Sequence, residues 1–210
     1  MSKSMGKGER TRERILEIAE AAVLQKGFGA TSIDELIAEA EITKSGFFYH
    51  FKDKNELARA LLERYIEQDD LILDQLFQRA NELADDPLQA FLVGLKLFAE
   101  MVENLPEGHP GCIVAVYCYQ ERLFDKSIHE TNRQAVLNWR LRFRQFFEDI
   151  AKVYPPNEPV DLDELADMVT TIVEGGIVIS KALNNPPALA RQVLLFRAFI
   201  KLLFTPKLQS

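Results

Sequence analysis

Residues 42–51 read ITKSGFFYHF and set Thr43, Lys44, Ser45, Tyr49 and His50 among three phenylalanines. Hydroxyl, ammonium, phenol and imidazole donors this close together suit an anionic partner carrying phosphate oxygens. Thr43 can cap a short helix, whose unpaired backbone N–H groups and positive dipole end favour a phosphate. Lys44 adds a formal charge there. Ser45 and Gly46 present little bulk, so such a helix can lie close to base edges. Phe47 and Phe51, four apart, are expected to face a core with Ile33, Leu36 and Ile37, leaving Tyr49 and His50 in reach of a sugar-phosphate backbone. Taken alone, a phenylalanine-rich helix is more often plain core.

No other stretch offers comparable chemistry. His50, His109 and His129 are scattered, and HExxH, Glu-x-x-His and glycine-rich phosphate loops are all missing from the sequence. No catalytic residue, metal ligand or cofactor is therefore expected. Cys112 and Cys118 lie in the apolar run CIVAVYC. Cys112 follows Gly111 at an expected helix start, where a thiolate is favoured, and Cys118 is expected to be held more deeply by the same helix. The alternative for Cys112 is an inert buried thiol. His109, Tyr117, Tyr119, His129, Trp139 and Phe143 can supply polar tips and walls to a small-molecule pocket, or simply core.

These residues need a helical framework. Apolar positions recur at three- and four-residue spacing, as at Ile15, Ile18 and Ala22, and no segment alternates as a strand does. KGFGATS supplies Gly27 and Gly29 as stops and Ser32 with Glu35 as a capping box; FKDKNEL repeats this with Asp53 and Glu56. Breaks at 85–87, 105–111, 154–161 and 184–187 bring the expectation to about nine helices, all-α, without repeats. Helices at about 32–39 and 43–50, braced by a preceding one, form the arrangement that places a recognition helix in the DNA major groove.

The chain has 210 residues and a net charge of −7. Its first 60 residues balance, with basic side chains crowded into 1–14 and around Lys44, Lys52 and Lys54, so the acidity belongs to the remainder. Two cysteines do not make a disulfide scaffold. An N-terminus with no apolar leader, and no apolar stretch near the ~20 residues that span a bilayer, lead to the expectation of a cytoplasmic protein without membrane contact.

From TRERILEIAEAAVLQKGFGATSIDELIAEAEITKSGFFYHFKDKNEL the chain resembles the N-terminal domain of the tetracycline-repressor (TetR) family over some 47 residues. The resemblance implies a three-helix helix-turn-helix domain at 1–55, with 1–8 a flexible tail, and a helical effector-binding and dimerisation domain at 56–210. It implies DNA contacts from Thr31, Thr43, Lys44, Ser45, Gly46, Tyr49, His50 and Lys54, with Lys44, Ser45 and Gly46 reading bases and the others holding phosphates. Members commonly carry glycine in the turn where this chain has Glu41. That glutamate must either turn left-handed at some cost or reshape the turn. A glycine-cysteine pair like Gly111-Cys112 occurs in a subset of the family that includes electrophile-responsive members.

Two later seams are regular. Leu165, Val169, Ile172, Gly176, Ile179 and Leu183, and then Leu189, Val193, Phe196, Ile200 and Leu203, follow alternating spacings of four and three. An intramolecular core satisfies this pattern; the resemblance implies instead a four-helix interface between two subunits. The expectation is thus a homodimeric regulator, released from palindromic double-stranded operator DNA by a small organic effector that engages His109, Cys112, Tyr117, Tyr119, His129, Trp139 and Phe143. An enzyme using a helical pocket, or a helical adaptor using the phenylalanine-rich segment, are the rivals.

Overall fold

The computed structural model describes residues 6–205. Among them nine α-helices and one 3-10 turn make up the fold, with no strand. The helices are α1 (Lys7–Lys26), α2 (Ile33–Glu39), α3 (Lys44–His50), α4 (Lys54–Leu83), α5 (Pro87–Glu103), α6 (Ile113–Tyr119), α7 (Lys126–Val153), α8 (Leu162–Ala182) and α9 (Ala188–Phe204), with the 3-10 turn at Glu121–Leu123. Of the tail expected at 1–8, residues 1–5 lie outside the described residues. Lys7 and Gly8 are helical, because Gly6 donates its N–H to Glu9 Oε2 at 2.7 Å and starts α1 early.

Packing divides the chain into two units. One comprises the chain to Gln68 with Pro110–Ala135; the other comprises Asp69–His109 with the chain from Val136 onwards. The segment 110–135 thus packs in the compact unit of the helix-turn-helix.

In the first unit Ile15, Leu16, Ala19 and Val23 form the buried stripe of α1, joined by Leu36, Phe47, Phe51, Leu57, Leu61, Ile113 and Tyr117. A second face of α1 is acidic. Arg64 of α4, its side chain largely buried, reaches Glu13 at 2.5 Å, Glu17 at 3.9 Å and also Glu20. Burial pushes the Glu20 carboxyl up, and the Arg64 guanidinium pulls it back down. The predicted caps form: Ser32 accepts from Glu35 N at 3.2 Å and Asp53 from Glu56 N at 2.8 Å. Glu35 then turns its carboxylate to Lys26, whereas Glu56 reaches back to Lys52 N at 2.6 Å.

In the second unit α9 packs against α5 and α8. Phe91 anchors the centre, with its ring 5.7 Å from Phe77 and 5.0 Å from Phe147. A Cβ on Gly94 would lie 2.5 Å from Phe77 Cε1, so that ring requires a glycine opposite it. At Gly176 a Cβ would lie 2.6 Å from Leu189 Cδ1 and 3.2 Å from Leu189 Cα, whereas at Gly175 it would meet open space. The close approach expected of these glycines is therefore made by Gly176, within one chain.

That approach corrects the second seam. Leu189, Val193, Phe196, Ile200 and Leu203 are all buried inside the single chain, as are Leu165, Val169 and Gly176. The regular spacing is used by the protomer's own core, and these residues are not open to a partner. Ile172 is half-buried, and only Ile179 and Leu183 of the expected set are exposed. Exposed apolar side chains line up beside them: Val178 on α8, and Leu194, Leu195, Phe199 and Leu202 on α9.

Candidate nucleic-acid interface

The turn between α2 and α3 resolves the question raised by Glu41. Ile42 N donates to Ile37 O and Glu41 N to Ala38 O, each at 3.2 Å, closing α2 with a left-handed residue between them. Glu41 is that residue, at φ 53, and Arg14 Nη2 lies 3.5 Å from its carboxylate. The turn keeps the shape that a glycine would give, at the cost of placing a Cβ in the left-handed region.

Thr43 starts α3 by accepting from Gly46 N at 3.1 Å, with Ser45 Oγ 3.0 Å from the Thr43 hydroxyl. Gly46 is half-buried, and a Cβ there would lie 3.3 Å from Thr43 Oγ1, crowding the cap. Phe47 and Phe51 are fully buried, and Arg12 lies over the Phe51 ring at 5.2 Å. The opposite face presents Lys44, Ser45, Phe48 and Tyr49 to solvent, Tyr49 being 82% exposed. His50 is half-buried, with its ring 5.0 Å from Tyr49. Lys44 is only loosely held, 3.9 Å from Asp34.

Phe48, 43% exposed, is the member of this face that the sequence reading did not single out. Its spacing was the available signal, since position 48 falls four after Lys44 and three after Ser45. Two expected contacts lie elsewhere. Thr31 is 1% exposed and donates its hydroxyl to Gly27 O at 3.0 Å, so its side chain closes the loop between α1 and α2. Lys54 donates to Phe28 O at 2.9 Å and lies over the Phe28 ring at 4.6 Å; burial lowers its pKa. Both side chains thus make contacts within the unit.

A helix of seven residues, capped, backed by aromatic core and exposing a lysine, a serine and a tyrosine, is what the comparisons with known proteins select. The family model described as "Bacterial regulatory proteins, tetR family" matches residues 15–61. The transcriptional regulator AcuR of Cereibacter sphaeroides is 26% identical over 168 residues, covering 79% of this chain and 74% of that one. The transcriptional repressor NemR of Escherichia coli strain K12 is 32% identical over 81 residues, 39% of this chain and 41% of that one. A TetR-family regulator from Agrobacterium tumefaciens superposes with a TM-score of 0.77 at 15% identity, covering 95% of this chain and 100% of that structure. The comparisons support a TetR-family transcriptional regulator.

The residues expected to bind a TetR-family effector are divided between the two units. Tyr117 is core, donating its hydroxyl to Ala58 O at 2.8 Å, and burial pushes its pKa upward. Tyr119 and His129 are exposed, His129 Nε2 lying 2.7 Å from Glu121 O. Phe143 is core in the second unit. His109 is half-buried there, with burial and Lys181 lowering its pKa. Cys112 caps α6, its Sγ accepting from Ala115 N at 3.5 Å. The expected order of the thiols is reversed, because Cys112 is buried and Cys118 exposed. Six residues along a helix turn a side chain well away from the first, and Cys118 Sγ receives Asn132 Nδ2 at 3.2 Å. Trp139 is buried, and its indole N–H is directed at a carboxylate. It lies beside the half-buried Asp69 carboxyl, whose pKa burial and the neighbouring Asp70 push up to about 6. Among the described residues no cluster fit for a metal ion occurs, and no helix is long and apolar enough to cross a membrane.

Proposed function

We propose that the chain is a homodimeric repressor that holds a palindromic operator through α3 and is released by a small organic effector. The exposed face of α3 carries this reading: Lys44 and Ser45 at its start and Phe48 and Tyr49 one turn on can meet base edges, with Thr43 and His50 flanking them towards the phosphates. Residues 1–55 supply the DNA head and 56–210 the effector and dimer functions. Binding, not catalysis, is the activity, and it is exercised in the cytoplasm where the operator lies.

Two copies are needed because successive major-groove faces are about 34–36 Å apart. The exposed stripe of Val178, Ile179, Leu183, Leu194, Leu195, Phe199 and Leu202 supports pairing through α8 and α9. The test is selection from a random duplex pool. Enrichment of an inverted repeat by a protein that is dimeric in light scattering is the expected result. Enrichment of no sequence, or of one lone half-site by a monomer, refutes it.

A further inference from the structure

The loop between α1 and α2 is held from several sides. The Phe28 ring packs 5.8 Å from Tyr117 and 4.9 Å from Phe124, which stack on each other at 4.1 Å. Lys54 holds Phe28 O from the start of α4. The remaining holder is Gln120, at the C-terminal end of α6, whose Oε1 accepts from Gly29 N at 3.1 Å.

The loop is shaped for that amide. Gly27 has φ 85, and a Cβ on it would collide with Gln120 Nε2; a Cβ on Gly29 would lie 3.1 Å from Leu123 Cδ1. Gln120 is itself well anchored. Tyr117 in the preceding turn bonds Ala58 O, and beyond the 3-10 turn Arg59 donates to Ser127 Oγ at 2.7 Å and Asp125 at 3.3 Å. On the other side the loop leads directly to the first turn of α2, since Thr31 bonds back to Gly27 and Phe28 and Ser32 caps the helix. Only the short turn at Glu41 separates α2 from α3.

We propose that Gln120 is a positioning residue for DNA binding: its amide latches the Gly27–Thr31 loop, so that the α6 segment fixes the angle at which α2 and α3 meet the operator. This rests on the DNA-binding reading given above. With the latch open, a loop containing two glycines samples more conformations, and only the fraction that keeps α3 in register binds. The loss of one ordinary hydrogen bond then weakens operator affinity by roughly three- to tenfold.

The experiment compares the wild type, Gln120→Met and Gln120→Glu on the duplex that the wild type selects, at a temperature where urea titration shows all three folded. Met keeps the length of the side chain without the acceptor, and Glu keeps the acceptor. The expected result is weaker binding and faster exchange of the Gly29 amide in Gln120→Met, with both restored to within about twofold in Gln120→Glu. A purely structural role would move the urea midpoint without this pattern. Wild-type affinity in Gln120→Met, or equal weakness in both variants, overturns the latch while the DNA-binding reading stands. If the wild type selects no duplex, that reading falls, and the latch with it, before any variant is made.

Discussion

Replacing Leu202 and Phe196 with alanine, one at a time, separates the two faces of α9. Leu202 is 75% exposed in the single chain and Phe196 is 2% exposed. Covering a leucine that is three-quarters open and then truncating it forfeits about 1–2 kcal/mol. A two-fold interface contains the position twice, so Leu202→Ala removes about 2–4 kcal/mol of dimerisation energy, or roughly 30- to 700-fold in the dissociation constant. The fold of the chain is left nearly untouched. Phe196→Ala instead opens a cavity between α9 and its neighbours, at a cost of about 3–5 kcal/mol in unfolding free energy. Sedimentation equilibrium over a range of concentrations reads the first effect, and urea unfolding with a constant m-value reads the second. An unchanged dimer constant for Leu202→Ala, together with folded monomers from Phe196→Ala, refutes the assignment of faces and restores the buried seam as the interface.

Lys44→Ala should lower operator affinity and, if the ammonium neutralises a phosphate, reduce the slope of log affinity against log salt by about 0.9; unchanged affinity, slope and base preference remove Lys44 from the contact set. Glu41→Gly should raise stability by about 1 kcal/mol in urea titration, because glycine enters the left-handed turn without a Cβ; a destabilised protein contradicts the strain. Asp69→Asn should stabilise the protein increasingly between pH 4 and 7. The Asp69 carboxyl is raised to about 6 in the fold, so its stabilising contribution is complete below the unfolded pKa and is lost as pH rises through 6. The shift from 3.8 corresponds to at most about 3 kcal/mol, and a difference from wild type that does not vary with pH disproves it.

The recognition helix was legible because its signals are local. A cap at Thr43, small residues after it and phenylalanines four apart are settled within ten residues. Phe48 was signalled only by its spacing from Lys44 and Ser45, since which flank of an aromatic pair faces solvent is decided by α1 and α2. The seam of α9 was legible as a seam but not by partner: spacings of four and three describe a stripe, and the choice between α5 with α8 and a second copy lies in three dimensions. Thr31 and Lys54 followed from the resemblance, and their engagement with Gly27 and Phe28 depends on the fold of the loop. The grouping of 110–135 with the first unit rests on contacts such as Phe28 with Tyr117, nearly ninety residues apart, for which periodicity gives no sign.

The contrast between the two thiols has a practical consequence. Cys112 is buried beneath the start of α6, and Cys118, at its far end, is open. The wild-type chain therefore carries a single addressable attachment point, which a maleimide dye can occupy without engineering. That point lies two residues before Gln120, so fluorescence from it can follow the α1–α2 loop in real time.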